Sequence, residues 1–403
     1  MDERITPRAM ALLGALGAIF FLITATTFAS LGVILPAMLA EFDWNWGTAG
    51  LGFTMLALMT GVFSPIAASS LERLGARLHY AIGGAVIVGG YLLLGTATGV
   101  AAYLAATSML GAGFALLANV PGTYIVGRAA PLKWRNIAIG GYLAAGGAGG
   151  VFGPLIANAH VTSGGDWRVY WFASAISAGA IVILIVALVE KSLAQGPGVH
   201  RAALSEPTSV GADWSPRDAM RTPAFIVISA ALTVAYFCGV TVSTWSVAHL
   251  QNAGLAPAFA VSMFSLYSGL NAGARAAGGA LVRHIDAKTL LAAALLANVI
   301  GMSALAIAHT APLAIVFAVF DGFAFGMALF ATTALLIDYF GLKNSPALLG
   351  GANLAATIAM LGPTIAGQTA DRWGSFAPIF MIYAGAALIA AIAVGAMKRP
   401  VRA

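Results

Sequence analysis

Long uncharged runs separated by short charged turns set the pattern of this chain. Residues 9–40, 78–127 and 344–370 hold no Asp, Glu, Lys or Arg. Runs of this length cannot alternate as half-buried strands, and within a bilayer only helices satisfy every backbone donor and acceptor internally. With charges and Gly/Pro turns as punctuation, the pattern predicts twelve helical spans at residues 9–40, 46–70, 78–97, 101–127, 136–160, 169–189, 222–250, 256–282, 289–309, 312–337, 345–370 and 375–397. Two uncharged stretches are too long for one helix, and they divide at Gly95–Val100 and Gln251–Pro257. The expected fold class is an all-α polytopic membrane protein of two six-helix bundles.

Composition sharpens this picture. Of 403 residues, 60% are hydrophobic and 8% charged, against about a quarter charged in soluble domains. The formal charge of +6 invites a nucleic-acid reading, which the distribution removes. Of the 20 Lys and Arg residues, seventeen fall on the side that carries both termini, from Arg4 and Arg8 through Arg128, Lys133 and Arg135 to Lys398, Arg399 and Arg402. Only Arg168 and Arg372 fall on the opposite side, and Arg275 lies inside a span. By the positive-inside rule the termini are cytoplasmic. The first uncharged run is too long for a signal-peptide core and is expected to be the first span. The single cysteine, Cys238, lies in an apolar run and reads as a small packing residue. No cofactor or metal-ligand cluster is expected, and a monomer is.

The longest polar segment, from Glu190 to Arg221, divides the chain into residues 1–190 and 222–403, with 191–221 as a cytoplasmic linker. The halves echo each other. "GPLIANAHVTSGGDWRVYWF" begins at Gly153 and "GPTIAGQTADRWGSFAPIF" at Gly362, which places the fifth span on the eleventh. Internal repeats of this kind are how transporters build two bundles around a midplane cavity.

Two charged residues, Arg275 and Asp321, fall within the spans. Arg275 lies eight residues before Arg283, hence about 12 Å inside the helix end. Such a charge normally faces water, an anion or a carboxylate. Ser268 and Asn271 precede it by seven and four residues and share its helical face. A planar guanidinium grips a carboxylate through two parallel hydrogen bonds. Asp321, in "AVFDGFAFG", is an acid among apolar helices that can load and release a proton, and direct contact with Arg275 is not expected. His249 can also titrate, or cap the outer end of its span. Tyr267, Asn119, Tyr124 and Trp245 can line a cavity or simply pack. The glycine-rich stretch Gly140–Pro154 reads as a site of close helix approach.

Between the second and third spans lies "ASSLERLGARL", which resembles the loop signature of the major facilitator superfamily, Gly-x-x-x-Asp-Arg-x-Gly-x-Arg. Glu72, Arg73, Gly75 and Arg77 occupy matching positions, while Ala68 replaces the leading glycine. In that family the loop clasps the halves, so the resemblance implies a gating role. Within the superfamily the chain resembles the monocarboxylate transporter and oxalate:formate antiporter branch, through "KWRNIAIG", "AHLQNAGL", "GPTIAGQTADRWGS" and Arg275. The resemblance implies that Arg275 binds the substrate carboxylate, in a bacterial inner membrane. Animal members carry their proton-site aspartate where this chain has Asn271, which leaves Asp321 as the substitute.

A dicarboxylate needs two cations, and the spans offer only Arg275. The expected activity is therefore monocarboxylate transport by alternating access with proton symport. Its substrate contacts are Arg275, Asn271, Ser268, Tyr267, Asn119 and Tyr124. Its proton-coupling residues are Asp321 and His249. Anion exchange and drug:proton antiport are alternatives. An embedded enzyme is a remote one, because no nucleophile, base and acid set stands at a suggestive spacing.

Overall fold

The computed structural model describes residues 6–189, 214–341 and 344–400. Most of the linker expected at 191–221 lies outside them. The elements are α1 (Pro7–Thr24), a π-turn (Ala25–Ala29), α2 (Leu31–Phe42), α3 (Trp46–Gly95), α4 (Val100–Leu117), α5 (Asn119–Ala129), α6 (Arg135–Thr162) and α7 (Trp167–Leu188). After the linker come α8 (Pro216–Met220), α9 (Pro223–Asn252), α10 (Pro257–Leu281), α11 (Ala287–Ala306), α12 (Ala311–Phe340), α13 (Ser345–Ala356), α14 (Gly362–Trp373) and α15 (Ala377–Ala396). The chain divides into two compact units, Met1–Ser205 and Glu206–Ala403.

Local chemistry sets the helix starts. Proline stands at the first turn of α1, α9, α10 and α12, where its missing N–H has no intrahelical partner to lose. Asn45, Thr222 and Asp286 cap α3, α9 and α11 through their side-chain oxygens.

Among the described residues, ten helical segments are long and apolar enough to cross a membrane. One of them, α3, runs over 50 residues as two helices that meet at a break at Gly75, each long enough to cross a bilayer core, and the turn expected at 71–77 falls at that break. Gly75 turns the chain at φ +78° and ψ 158°, a conformation that side chains other than glycine's rarely adopt. The 25 residues of α10 complete twelve crossing lengths. This helix is the least apolar of them, for the polar stripe described below.

Three spans are interrupted. The first carries the π-turn, the fourth an extended residue at Ala118, and the eleventh a 3-10 turn at Thr357–Leu361. Lipid provides little hydrophobic drive between helices, so glycines and small residues set the packing. A Cβ at Gly149 or Gly153 would lie 2.3 Å and 2.5 Å from the carbonyl oxygens of Phe21 and Ala25, and one at Gly146 would strike Phe20. The glycine-rich run of α6 thus lets it lie directly on the first span.

Candidate functional site

The polar stripe of α10 is assembled as its spacing predicts. Arg275 is exposed, and its Nε donates to Asn271 Oδ1 at 3.1 Å. The guanidinium carbon lies 5.8 Å from the centre of the Phe325 ring on α12. Tyr236 of α9 meets that ring edge-on at 5.9 Å, and its hydroxyl donates to Asn353 Oδ1 at 3.4 Å. No carboxylate among the described residues lies within ion-pair distance of Arg275. Its two terminal nitrogens make no hydrogen bond to any described residue, so the fork that would grip an anion is held at its base by Asn271. α10 ends at Leu281 rather than at Arg283, which places Arg275 about 9 Å inside the helix end instead of 12 Å. Ser268 is half-buried on the same helix.

Asp321 is ten residues into α12, about 15 Å along it, and fully buried. It faces α11: Asn298 Nδ2 donates to its Oδ1 at 2.5 Å. Its Oδ2 has no partner, nor has the other end of the amide, Asn298 Oδ1. Gly301 admits the approach, since a Cβ there would lie 2.6 Å from that of Asp321. Tyr267 is buried in α10, its ring stacked at 5.8 Å on Phe264 and 6.1 Å on Phe317.

The internal repeat provides a control for these assignments. Gly90 packs on Leu110 in the first unit as Gly301 packs on Asp321 in the second, and Gly111 packs on the Leu56 carbonyl as Gly322 packs on that of Tyr267. The edge-on pair of Phe20 and Phe114 at 6.3 Å in the first unit repeats as Tyr236 and Phe325. Gly153 seats against Ala25 as Gly362 seats against Thr241. In this register the first unit has Leu110, Ile87, Leu56, Thr60 and Ser64 where the second has Asp321, Asn298, Tyr267, Asn271 and Arg275. The same packing is therefore built without a charge, a carboxamide or a phenol. Buried polar groups cost stability unless they are satisfied, so the polar set of the second unit is not explained by the needs of the fold.

Other predicted residues fall elsewhere. Tyr124 is in the first unit, where its hydroxyl accepts from Arg128 Nη1 at 2.9 Å. The side chain of Asn119 lies outside the described residues. His249 Nε2 is bonded to the Leu305 carbonyl at 2.9 Å, and its ring meets Phe380 edge-on at 5.1 Å. This makes it a brace between α9 and the end of α11. Trp245 donates to the Pro363 carbonyl at 2.8 Å. Glu72 and Arg73 finish the helical segment before the Gly75 break, Arg77 begins the next, and Arg73 lines a shallow groove of about 450 Å³ with Pro65, Ile66, Ser69, Ser70 and Leu74.

Sequence reading missed a clamp in the first unit. Arg168 grips both oxygens of Glu41, at 2.8 Å and 2.6 Å, and lies 4.1 Å over the Trp167 ring, whose Nε1 donates to the same carboxylate at 2.7 Å. The signal available was an acid closing the first span and Trp-Arg opening the sixth, which only the fold brings together.

Helices of this number, length and apolarity define a polytopic membrane protein. Residues 16–314 match the Major Facilitator Superfamily, and the chain belongs to that family. No curated protein matches it in sequence. Among solved structures it is similar to a bacterial homolog of the human lysosomal transporter Spinster in an inward-facing, unoccupied conformation. That pair has 14% identity and a TM-score of 0.75, covering 97% of this chain and 95% of the other. It is also similar to a mutant of the nucleoside transporter NupG, with 13% identity and a TM-score of 0.74, covering 96% and 99%. At these identities the likeness is one of fold. The monocarboxylate branch is not established by them.

Proposed function

We infer that this transporter moves a small monocarboxylate by alternating access with proton symport, in a bacterial inner membrane with both termini cytoplasmic, as a monomer. Residues 1–190 and 222–403 form its transporting halves, and Glu72, Arg73, Gly75 and Arg77 form a gating element at the cytoplasmic face. The observation that carries the reading is the state of Arg275: a guanidinium within a span, braced by Asn271, with both terminal nitrogens open to a ligand. A carboxylate placed there receives two parallel charge-assisted hydrogen bonds, and Phe325 and Tyr236 offer apolar and phenolic surface to the rest of the molecule.

One cation neutralises one carboxylate, which favours a monoacid. Asp321 carries the coupled proton, so that the loaded protein crosses the membrane potential without an added charge. His249, committed to the Leu305 carbonyl, is left as a brace.

The test is uptake of labelled L-lactate, pyruvate and benzoate into proteoliposomes, with and without an inward proton gradient. Arg275→Lys retains the charge but not the fork and should lose at least about tenfold in uptake, from charge-assisted hydrogen bonds of about 1.5–3 kcal/mol. Unchanged uptake in that variant removes Arg275 from the binding site. Uptake that ignores the pH gradient but is driven by internal acid anion assigns exchange instead.

A further inference from the structure

Under the proposed reading Arg275 takes the carboxylate, and the wall beside it decides what the rest of the substrate is. That wall lies within the second unit and is built from four spans. The guanidinium carbon of Arg275 on α10 stands 5.8 Å from the centre of the Phe325 ring on α12. Tyr236 of α9 meets the same ring edge-on at 5.9 Å. The Tyr236 hydroxyl donates to Asn353 Oδ1 of α13 at 3.4 Å. Arg275 and Asn353 are exposed, Tyr236 is half-buried, and Phe325 is the buried floor. Guanidinium and phenol are not hydrogen-bonded to each other; the Phe325 ring joins them.

The far end of this wall is polar but carries no charge. α9 and α13 hold no Asp, Glu, Lys or Arg. A second carboxylate there would lack a cation and an ammonium would lack an acid, and a charge that gives up water without a partner is costly. The hydrogen bonds already made decide which neutral group fits. Asn353 Nδ2 donates to the Leu349 carbonyl at 2.9 Å, which leaves Oδ1 for Tyr236. The phenol has spent its only proton on that bond, while both oxygens keep acceptor capacity. The pair therefore complements a donor, and the simplest neutral donor is an O–H.

The internal repeat shows that packing does not require this pair. The edge-on contact of Phe325 and Tyr236 is built in the first unit from Phe114 and Phe20, with no hydroxyl. By the offset of the Gly-Pro repeat, Ala144 stands where the second unit has Asn353. Hydroxyl and carboxamide occur together in the unit that carries Arg275 and are both missing from the other.

We propose that Tyr236 and Asn353 read a hydroxyl at the far end of the substrate, so that the transported acid is a monocarboxylate whose hydroxyl is held about one ring's length from the carboxylate by an apolar body. Arg275 keeps the carboxylate, the body rests along the Phe325 and Tyr236 rings, and the hydroxyl donates to Asn353 Oδ1. A 2-hydroxy acid such as L-lactate carries its hydroxyl beside the carboxylate and is too short for both ends. A para-hydroxy aromatic acid fits them. This inference rests on the proposed binding of a carboxylate by Arg275, and its test separates the two.

The test measures kcat/KM for uptake of labelled benzoate, 4-hydroxybenzoate and L-lactate into proteoliposomes, by the unmodified protein and by Asn353→Leu. The unmodified protein should prefer 4-hydroxybenzoate to benzoate by at least about fivefold, the effect of one neutral hydrogen bond. Asn353→Leu should bring that ratio below about twofold. A merely structural role would lower both acids alike and leave the ratio unchanged. Should the leucine variant show no thermal unfolding transition, Asn353→Ala is read in its place. Equal uptake of the two benzoates by the unmodified protein overturns the hydroxyl and leaves the monocarboxylate reading standing. A preference that survives in Asn353→Leu removes the hydroxyl contact from this pair. Uptake of L-lactate but of neither benzoate overturns the spacing and with it the substrate class. If none of the three acids is taken up, carboxylate binding by Arg275 and this inference fall together.

Discussion

If Asp321 and Asn298 serve transport rather than folding, replacing both with the residues of the first unit should stabilise the protein. The perturbation is Asn298→Ile with Asp321→Leu, which introduces the residues of the first unit, where Leu110 packs against Gly90 and Ile87 against Gly113. The native pair leaves Asp321 Oδ2 and Asn298 Oδ1 buried without partners, at about 1–3 kcal/mol each. What is lost is one interhelical hydrogen bond, worth about 0.6 kcal/mol on average in a membrane protein. Larger side chains beside Gly301 cost about 1–3 kcal/mol if they overpack. Taking the middle of each range, the net is a stabilisation of about 1.4 kcal/mol. For a unit of roughly 200 residues this raises the midpoint of thermal unfolding by about 3–6 °C. The assay is the thermal transition of detergent-purified protein followed by tryptophan fluorescence, with gradient-driven uptake measured in parallel and expected to be lost. Asn298→Ile alone should lower the midpoint, because it strips the carboxyl of its one donor. A double variant that melts below the parent refutes the claim that the polar pair is dispensable to the fold.

Two further predictions concern the scaffold. Gly75→Ala should lower the midpoint by the equivalent of about 1–3 kcal/mol, entirely through the backbone, because no atom lies within 4 Å of the added Cβ and the cost is that of φ +78°. Asp286 caps α11, with Oδ1 accepting from the Thr289 N–H at 2.9 Å and Oδ2 from its hydroxyl at 2.6 Å, and these bonds hold its carboxyl below the usual aspartate range. A carboxyl lowered in the folded state stabilises fully above its unfolded value, about pH 4, and loses that contribution as pH falls through the folded value. Asp286→Ala should therefore cost about 1 kcal/mol at pH 7, a cost that shrinks as pH falls below about 4, as read from melting midpoints measured across that range.

Much of this protein was legible along the chain. The uncharged runs required helices because lipid offers the backbone no partners, and the division points at Gly95–Val100 and Gln251–Pro257 are where α3 and α9 end. Arg275 and Asn271 were paired by spacing alone, since four residues bring two side chains to one face of one helix. The repeat of Gly153-Pro154 in Gly362-Pro363 was visible as text.

Everything that depends on which helix lies against which was decided in three dimensions. The partner of Asp321 is Asn298, 23 residues away on another helix, and nothing in an apolar run marks one asparagine as the neighbour of one acid. Glu41 and Arg168 are 127 residues apart and meet only because the end of α2 lies against the start of α7. Tyr124 and His249 carried the right chemistry for a site, but the fold committed them to Arg128 and to the Leu305 carbonyl. Sequence periodicity reports the face a residue occupies on its own helix. Which groups share a buried volume follows from the close approaches that glycines such as Gly301 and Gly322 permit, and those are properties of packed pairs of helices.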